Sequence, residues 1–395
     1  MFRRVIVMSL SVLFSSVALA QTPAPLNRNE IVVVGARIAD LKADLERCEA
    51  GTCTVREDVI ATVRYAEAAF LEGRYFDAHK ALGKAVARTK KNEDSDPFAV
   101  AELLTARANV ARHYGEPRDA WRATGGIARL LERHAPHSPT AMLARMRLID
   151  ANFRRDFGPY NINQLRVLAQ EALEAGEPLI ALRADLSRAS MLYRSRRREE
   201  ARELLSRIMA SQVPNSAFLR LSAEILAMRL DLHDGDTSKV DALIARLTQE
   251  QKAFGPTLVW APEMPTPRGS VYAGAREETA SSGGQSFATV PLRWVDIGFA
   301  IGPDGNVESV DVLRGSSNPG WAKPLTAAIA KRRYTPAADP DDLTGRYRVE
   351  RYTLTADLMI PTGSRIRSRA GAPRFERLDL TAAAPRKTAA PAITN

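Results

Sequence analysis

The chain has 395 residues, is 45% hydrophobic and 26% charged, and carries a formal net charge of +10. That length allows two or three domains, and the composition is that of a globular chain, which excludes a collagen-like or wholly disordered one. The basic balance speaks for solubility or for contact with an anionic surface.

Met1-Phe2-Arg3-Arg4 precedes an apolar run from Val5 to about Val17, and Ala18-Leu19-Ala20 closes it before Gln21. A charged start, a short apolar stretch and an A-x-A site are the marks of a cleavable secretory signal peptide over residues 1–20. The run is too short for a comfortable membrane span; retention as an uncleaved anchor is the alternative. Export implies a periplasmic location, where the anionic partner is an envelope surface and not nucleic acid. Residues 21–54 read as an N-terminal arm, in which Glu30-Ile31-Val32-Val33-Val34-Gly35-Ala36-Arg37 has strand character. Cys48 and Cys53 stand close together, so an oxidising compartment should bridge them. A metal pair would need two more ligands nearby, which the sequence does not supply.

Residues 55–254 read as helical, with apolar positions recurring at three and four and Ala, Leu, Arg and Glu dominating. The pattern repeats. One unit holds Ala66, Ala69-Phe70, Gly73-Arg74-Tyr75, Ala78, Leu82 and Ala85; a second places Ala108, Gly115, Ala120 and Ile127 at the same offsets. Weaker units centre on Gly158, Arg196 and Gly235. These units resemble tetratricopeptide repeats, with longer loops at Asn92–Phe98 and His134–Thr140. The resemblance implies helical hairpins stacked into a curved solenoid; a compact helical bundle is the alternative.

Residues 255–286 are rich in Pro, Gly and Ser and read as a linker, although Leu258-Val259-Trp260 could pack on the last hairpin. Residues 287–361 read as strand, turn, strand, helix, strand. Val295, Ile297, Phe299 and Ile301 alternate with Trp294, Asp296, Gly298 and Ala300. Pro303-Asp304-Gly305-Asn306 supplies the turn, and Val310 and Val312 point inward on the return strand. Ser316, Ser317 and Asn318 are candidate caps for a helix through Trp321, Leu325, Ala328 and Ile329, which Pro336 ends. Tyr352, Leu354, Ala356 and Leu358 share one face of the last strand. The Pro-Asp-Gly-Asn-Val turn, Val310-Asp311-Val312-Leu313 and Arg332-Arg333-Tyr334-Thr335-Pro336 resemble, in this order, the periplasmic C-terminal domain of TonB, the energy transducer of bacterial outer-membrane transport. Residues 362–395 read as a basic, mostly disordered tail in which Arg374–Leu380 could add a small strand.

The fold class expected is therefore α+β and multidomain: an all-α array of helical hairpins followed by a small ββαβ domain. No catalytic, cofactor or metal motif stands out, and the five histidines are scattered. The TonB resemblance implies binding of an extended peptide at an open sheet edge. On the last strand that edge would be Val349, Arg351, Tyr352, Thr353 and Thr355, and Glu30–Gly35 also resembles the short segment with which TonB-dependent receptors pair. The function expected is a periplasmic adaptor joining proteins, TonB-dependent receptors or other envelope proteins among them. A membrane-anchored TonB-family component and a structural envelope scaffold are the alternatives.

Overall fold

The structure is a computed structural model that describes residues 37–156, 158–232, 238–247, 254–265, 280–282, 285–287, 290–336, 346–360 and 365–381. The stretch read as a signal peptide, the strand-like segment Glu30–Gly35, the Gly235 turn and the end of the basic tail lie outside these residues. The architecture is α+β: a helical region followed by a small antiparallel sheet region.

The helical region opens with α1 (Ile38–Glu49), inside the stretch read as an arm. It continues through α2 (Val55–Leu71), α3 (Tyr75–Thr89), α4 (Pro97–Tyr114), α5 (Pro117–His134) and α6 (Pro139–Arg155). Then come α7 (Pro159–Glu174), α8 (Pro178–Arg194), α9 (Arg198–Met209), α10 (Ala217–Asp231) and α11 (Ser238–Ala245). The Sγ atoms of Cys48 and Cys53 are bonded, tying the end of α1 to the start of α2. There Thr54 and Glu57 form a reciprocal capping box. The helices α4 to α8 each begin on a proline at the first turn, where a missing N–H costs nothing. Each helix packs on the next, through apolar clusters that pass from α2–α4 to α10–α11.

The main sheet has the order β5-β4-β7-β8, all neighbours antiparallel: β4 (Arg293–Ile301), β5 (Val307–Gly315), β7 (Tyr347–Met359) and β8 (Ser368–Asp379). Between β5 and β7 lies α12 (Lys323–Ile329), preceded by a 3-10 turn at Pro319–Ala322. Val295, Ile297, Phe299, Ile301, Tyr352 and Leu354 bury against Trp321, Leu325 and Ile329. Of the candidate caps, Asn318 takes a left-handed backbone at the 3-10 turn and makes no side-chain cap bond.

A two-stranded pair joins β1 (Leu258–Trp260) to β6 (Arg333–Tyr334), and a short hairpin links β2 (Ala280–Ser282) to β3 (Gln285–Phe287). The stretch read as linker therefore begins with an ordered staple. Val259 buries among Leu221, Ile225, Met228, Val240 and Leu243 at the end of the helical region, and Arg229 donates to the Val259 and Leu258 carbonyls.

Candidate functional site

β4 alternates, so burying Val295 and its partners on one face sends Trp294, Asp296, Gly298 and Ala300 to the other. That second face does not meet solvent at its centre. It packs on the turns of the first two helical hairpins. Gly73, between α2 and α3, has φ +79°, and a Cβ there would fall 2.1 Å from the Trp294 indole nitrogen. Gly115, between α4 and α5, has φ +93°, and its Cβ would fall 2.3 Å from the Ala356 carbonyl oxygen. Only glycine satisfies both demands at each turn. The Gly115 carbonyl also accepts the Leu358 N–H at 2.8 Å.

Arg351 is the centre of this contact. Its guanidinium is fully buried, donates to both Asp296 carboxylate oxygens at 2.6 and 2.8 Å, and reaches the Phe70 and Leu71 carbonyls that end α2. The Phe70 carbonyl also accepts the Gly73 N–H at 2.9 Å, and a cation suits the negative end of the helix. Trp294 lies under the guanidinium, whose carbon is 4.1 Å from the ring centre. Next to it, the Thr353 hydroxyl sits 3.0 Å from the Tyr75 hydroxyl and 2.8 Å from His113 Nδ1. Burial, with help from the Arg112 and Arg351 charges, holds the His113 pKa down at about 3, so the ring is neutral. Burial pushes the Tyr75 phenol up to about 12.

The five residues expected to form a binding edge, Val349, Arg351, Tyr352, Thr353 and Thr355, lie instead on an interior strand. All are less than one-tenth exposed. β4 pairs along one side of β7 and β8 along the other, with Tyr352 opposite Arg377 and Thr355 opposite Arg374. The expected edge is thus taken by residues read as tail. Sequence reading allowed only a small strand at Arg374–Leu380, short of the observed Ser368–Asp379, because the stretch carries few large apolar side chains and holds Gly371 and Pro373. Both fall in the bulge where the register shifts between Thr355 and Asp357, the place where a strand tolerates proline. Phe375 stacking on Trp321 was its one readable anchor.

Among the described residues, the flank left open is β5, which pairs with β4 alone. Val312 and Leu313 are exposed there, and Tyr347 is half exposed beside Gly298. The outer side of β8 is partly engaged, since the Arg369 carbonyl accepts the Val290 N–H at 2.9 Å. The Pro303–Asn306 turn and Arg333-Tyr334 meet: the Gly305 carbonyl accepts the Tyr334 N–H at 2.8 Å. Beneath them Arg332 is buried and bonded to Glu350 and Tyr352.

One cluster has the residue types of a metal site. His79, Glu116 and Asp119 converge within 4.8 Å. Asp119 is already held by Arg107 Nε and Nη2, at 3.0 and 2.9 Å, and Glu116 by Arg367 at 2.8 Å. Burial would raise the Asp119 carboxyl, but hydrogen bonds from His79 and Arg107 outweigh it and hold the pKa at about 2. Cations thus occupy the coordination space an ion would need. No helix among the described residues is long and apolar enough to cross a membrane. The chain matches no protein-family model, and no curated protein is similar to it in sequence.

Proposed function

We propose that this chain is an exported adaptor of the cell envelope, periplasmic, which joins a partner to its sheet by accepting an extended segment along β5. The observation that carries the reading is the flank of β5 that no strand among the described residues covers, with Val312 and Leu313 exposed on opposite faces of one strand. Backbone groups on such a flank bond an incoming strand, and flanking side chains select it. Glu308, Asp311 and Arg314 are exposed along the same strand and discourage indiscriminate pairing. The leader at residues 1–20, the cysteine pair and the resemblance to the TonB C-terminal domain support the compartment and the class. The binding edge moves from β7 to β5 because β8 covers β7.

A photo-crosslinking amino acid in place of Leu313 tests it in cells. The expected result is a discrete adduct with another envelope protein. The same probe in place of the exposed Phe76 on α3 is the control. No adduct from Leu313, or only the adducts that Phe76 also gives, would remove the reading.

A further inference from the structure

A second surface lies away from the sheet. Between α3 and α5, floored by α4, runs a groove of about 560 Å³. Its floor is apolar, from Val86, Val100, Leu104 and Ala123. Gly126 on α5 keeps that floor open: a Cβ there would meet Leu104 at 3.3 Å. Glycine inside a helix costs about 1 kcal/mol relative to alanine, so the gap is maintained against helix preference.

The rim is basic. Lys90, Arg107, Arg122, Arg129 and Arg133 line it, against only Glu93 and Asp119 among acids. The pairs close its ends. Arg107 and His79 hold Asp119 at one end, and at the other Arg133 holds Glu93 at 2.8 Å and Asp94 at 3.0 Å. Lys90, Arg122 and Arg129 between them are exposed, and no ion pair engages them among the described residues. The α5 row from Arg122 to Arg133 extends about 16 Å at 1.5 Å per residue. A single compact anion answers one or two of these charges. A chain with acidic groups spaced along it, and apolar side chains between them, answers the row and the floor together.

We propose that this groove binds an acidic peptide segment of a partner protein. Its carboxylates face Lys90, Arg122 and Arg129, and its apolar side chains rest on Val86 and Leu104. The inference deepens the adaptor reading by giving the helical region a ligand of its own, on a surface separate from β5.

The test is fluorescence anisotropy with a labelled peptide of repeated Glu-Glu-Leu, titrated with the full-length protein. The expected result is saturable binding that weakens as salt rises. The double substitution Arg122→Glu and Arg129→Glu should weaken it tenfold or more with an unchanged circular dichroism spectrum. Arg122→Lys and Arg129→Lys should largely restore it. Leu313→Asp on β5 should leave it unchanged, so a failure here and a failure of the β5 reading appear in different variants. Equal binding of a Lys-Lys-Leu peptide, indifference to the charge reversal, or complete competition by vesicles of anionic phospholipid would overturn the acidic-peptide ligand.

Discussion

His113 is buried and neutral, and the unfolded chain would protonate it near the ordinary histidine value. Its folded pKa is depressed, so below the unfolded value the unfolded state binds more protons than the native one. Stability then rises with pH, is complete above the unfolded pKa, and is lost as pH falls from about 6.5 toward about 3. Between pH 7 and 5 this one ring should cost the fold about 2 kcal/mol. Urea unfolding at the two pH values measures it. His113→Gln should flatten the difference while lowering stability at pH 7, because Thr353 then loses its ring partner. An identical pH difference in the variant would show that His113 is not the group responsible. The same node explains why Arg351 and Thr353 misled sequence reading. Polar residues on a strand face suggest solvent. Here α2 carbonyls, a tyrosine hydroxyl and an imidazole satisfy them instead. That circumstance depends on residues some 240 to 281 positions away.

At the scale of elements, the sequence was most readable where burial follows one periodicity. The alternation of β4, its turn at Pro303–Asn306 and the buried face of α12 all have local causes, and so does the helical pattern from Val55. The proline at the head of each helix from α4 to α8 was a further boundary signal, open to sequence reading but not used by it. β8 was readable only in part. Arg374–Leu380 had the look of a small strand, while the observed strand runs from Ser368 to Asp379 and covers the length of β7. Its stabilisation comes from pairing and from ion pairs, such as Arg374 with Asp357 at 2.6 Å, and only slightly from its own apolar content. Within the stretch read as a mostly disordered tail, Ser368–Asp379 is therefore a member of the sheet. Truncation after Gly363 removes β8, bares the β7 backbone and uncovers Trp321. The melting temperature should fall by about 4 °C or more, as expected for a loss of several kcal/mol in a chain of this size. A truncated protein that melts within about 2 °C of the parent would show that β8 contributes no net stability.

At the scale of the molecule, the sheet region touches both ends of the helical region. α2 to α5 meet it through Arg351, Thr353 and Gly115, while α10 and α11 meet it through Val259 and the pair Arg333–Asp241 at 2.7 Å. A Pro/Gly/Ser-rich stretch between two folded parts ordinarily invites separation, because few contacts cross it. Here the crossing contacts are buried and charged, so cutting the chain should not release the parts. A protease cut engineered between Pro265 and Ala280 should give two fragments that co-elute on size exclusion and unfold in one transition. Arg351→Ala should change that outcome. Among the described residues it leaves Asp296 buried with only Arg314 as an ionic partner, and it removes the side-chain donor from the Phe70 and Leu71 carbonyls. Breaking a buried pair in this way costs about 3–5 kcal/mol. After cleavage the variant fragments should elute apart, or co-elute only at higher protein concentration. Wild-type fragments that separate on cutting would place the two regions in independent folding units. Variant fragments that stay together as firmly as the wild type would shift the weight of the contact from Arg351 to the β1–β6 staple.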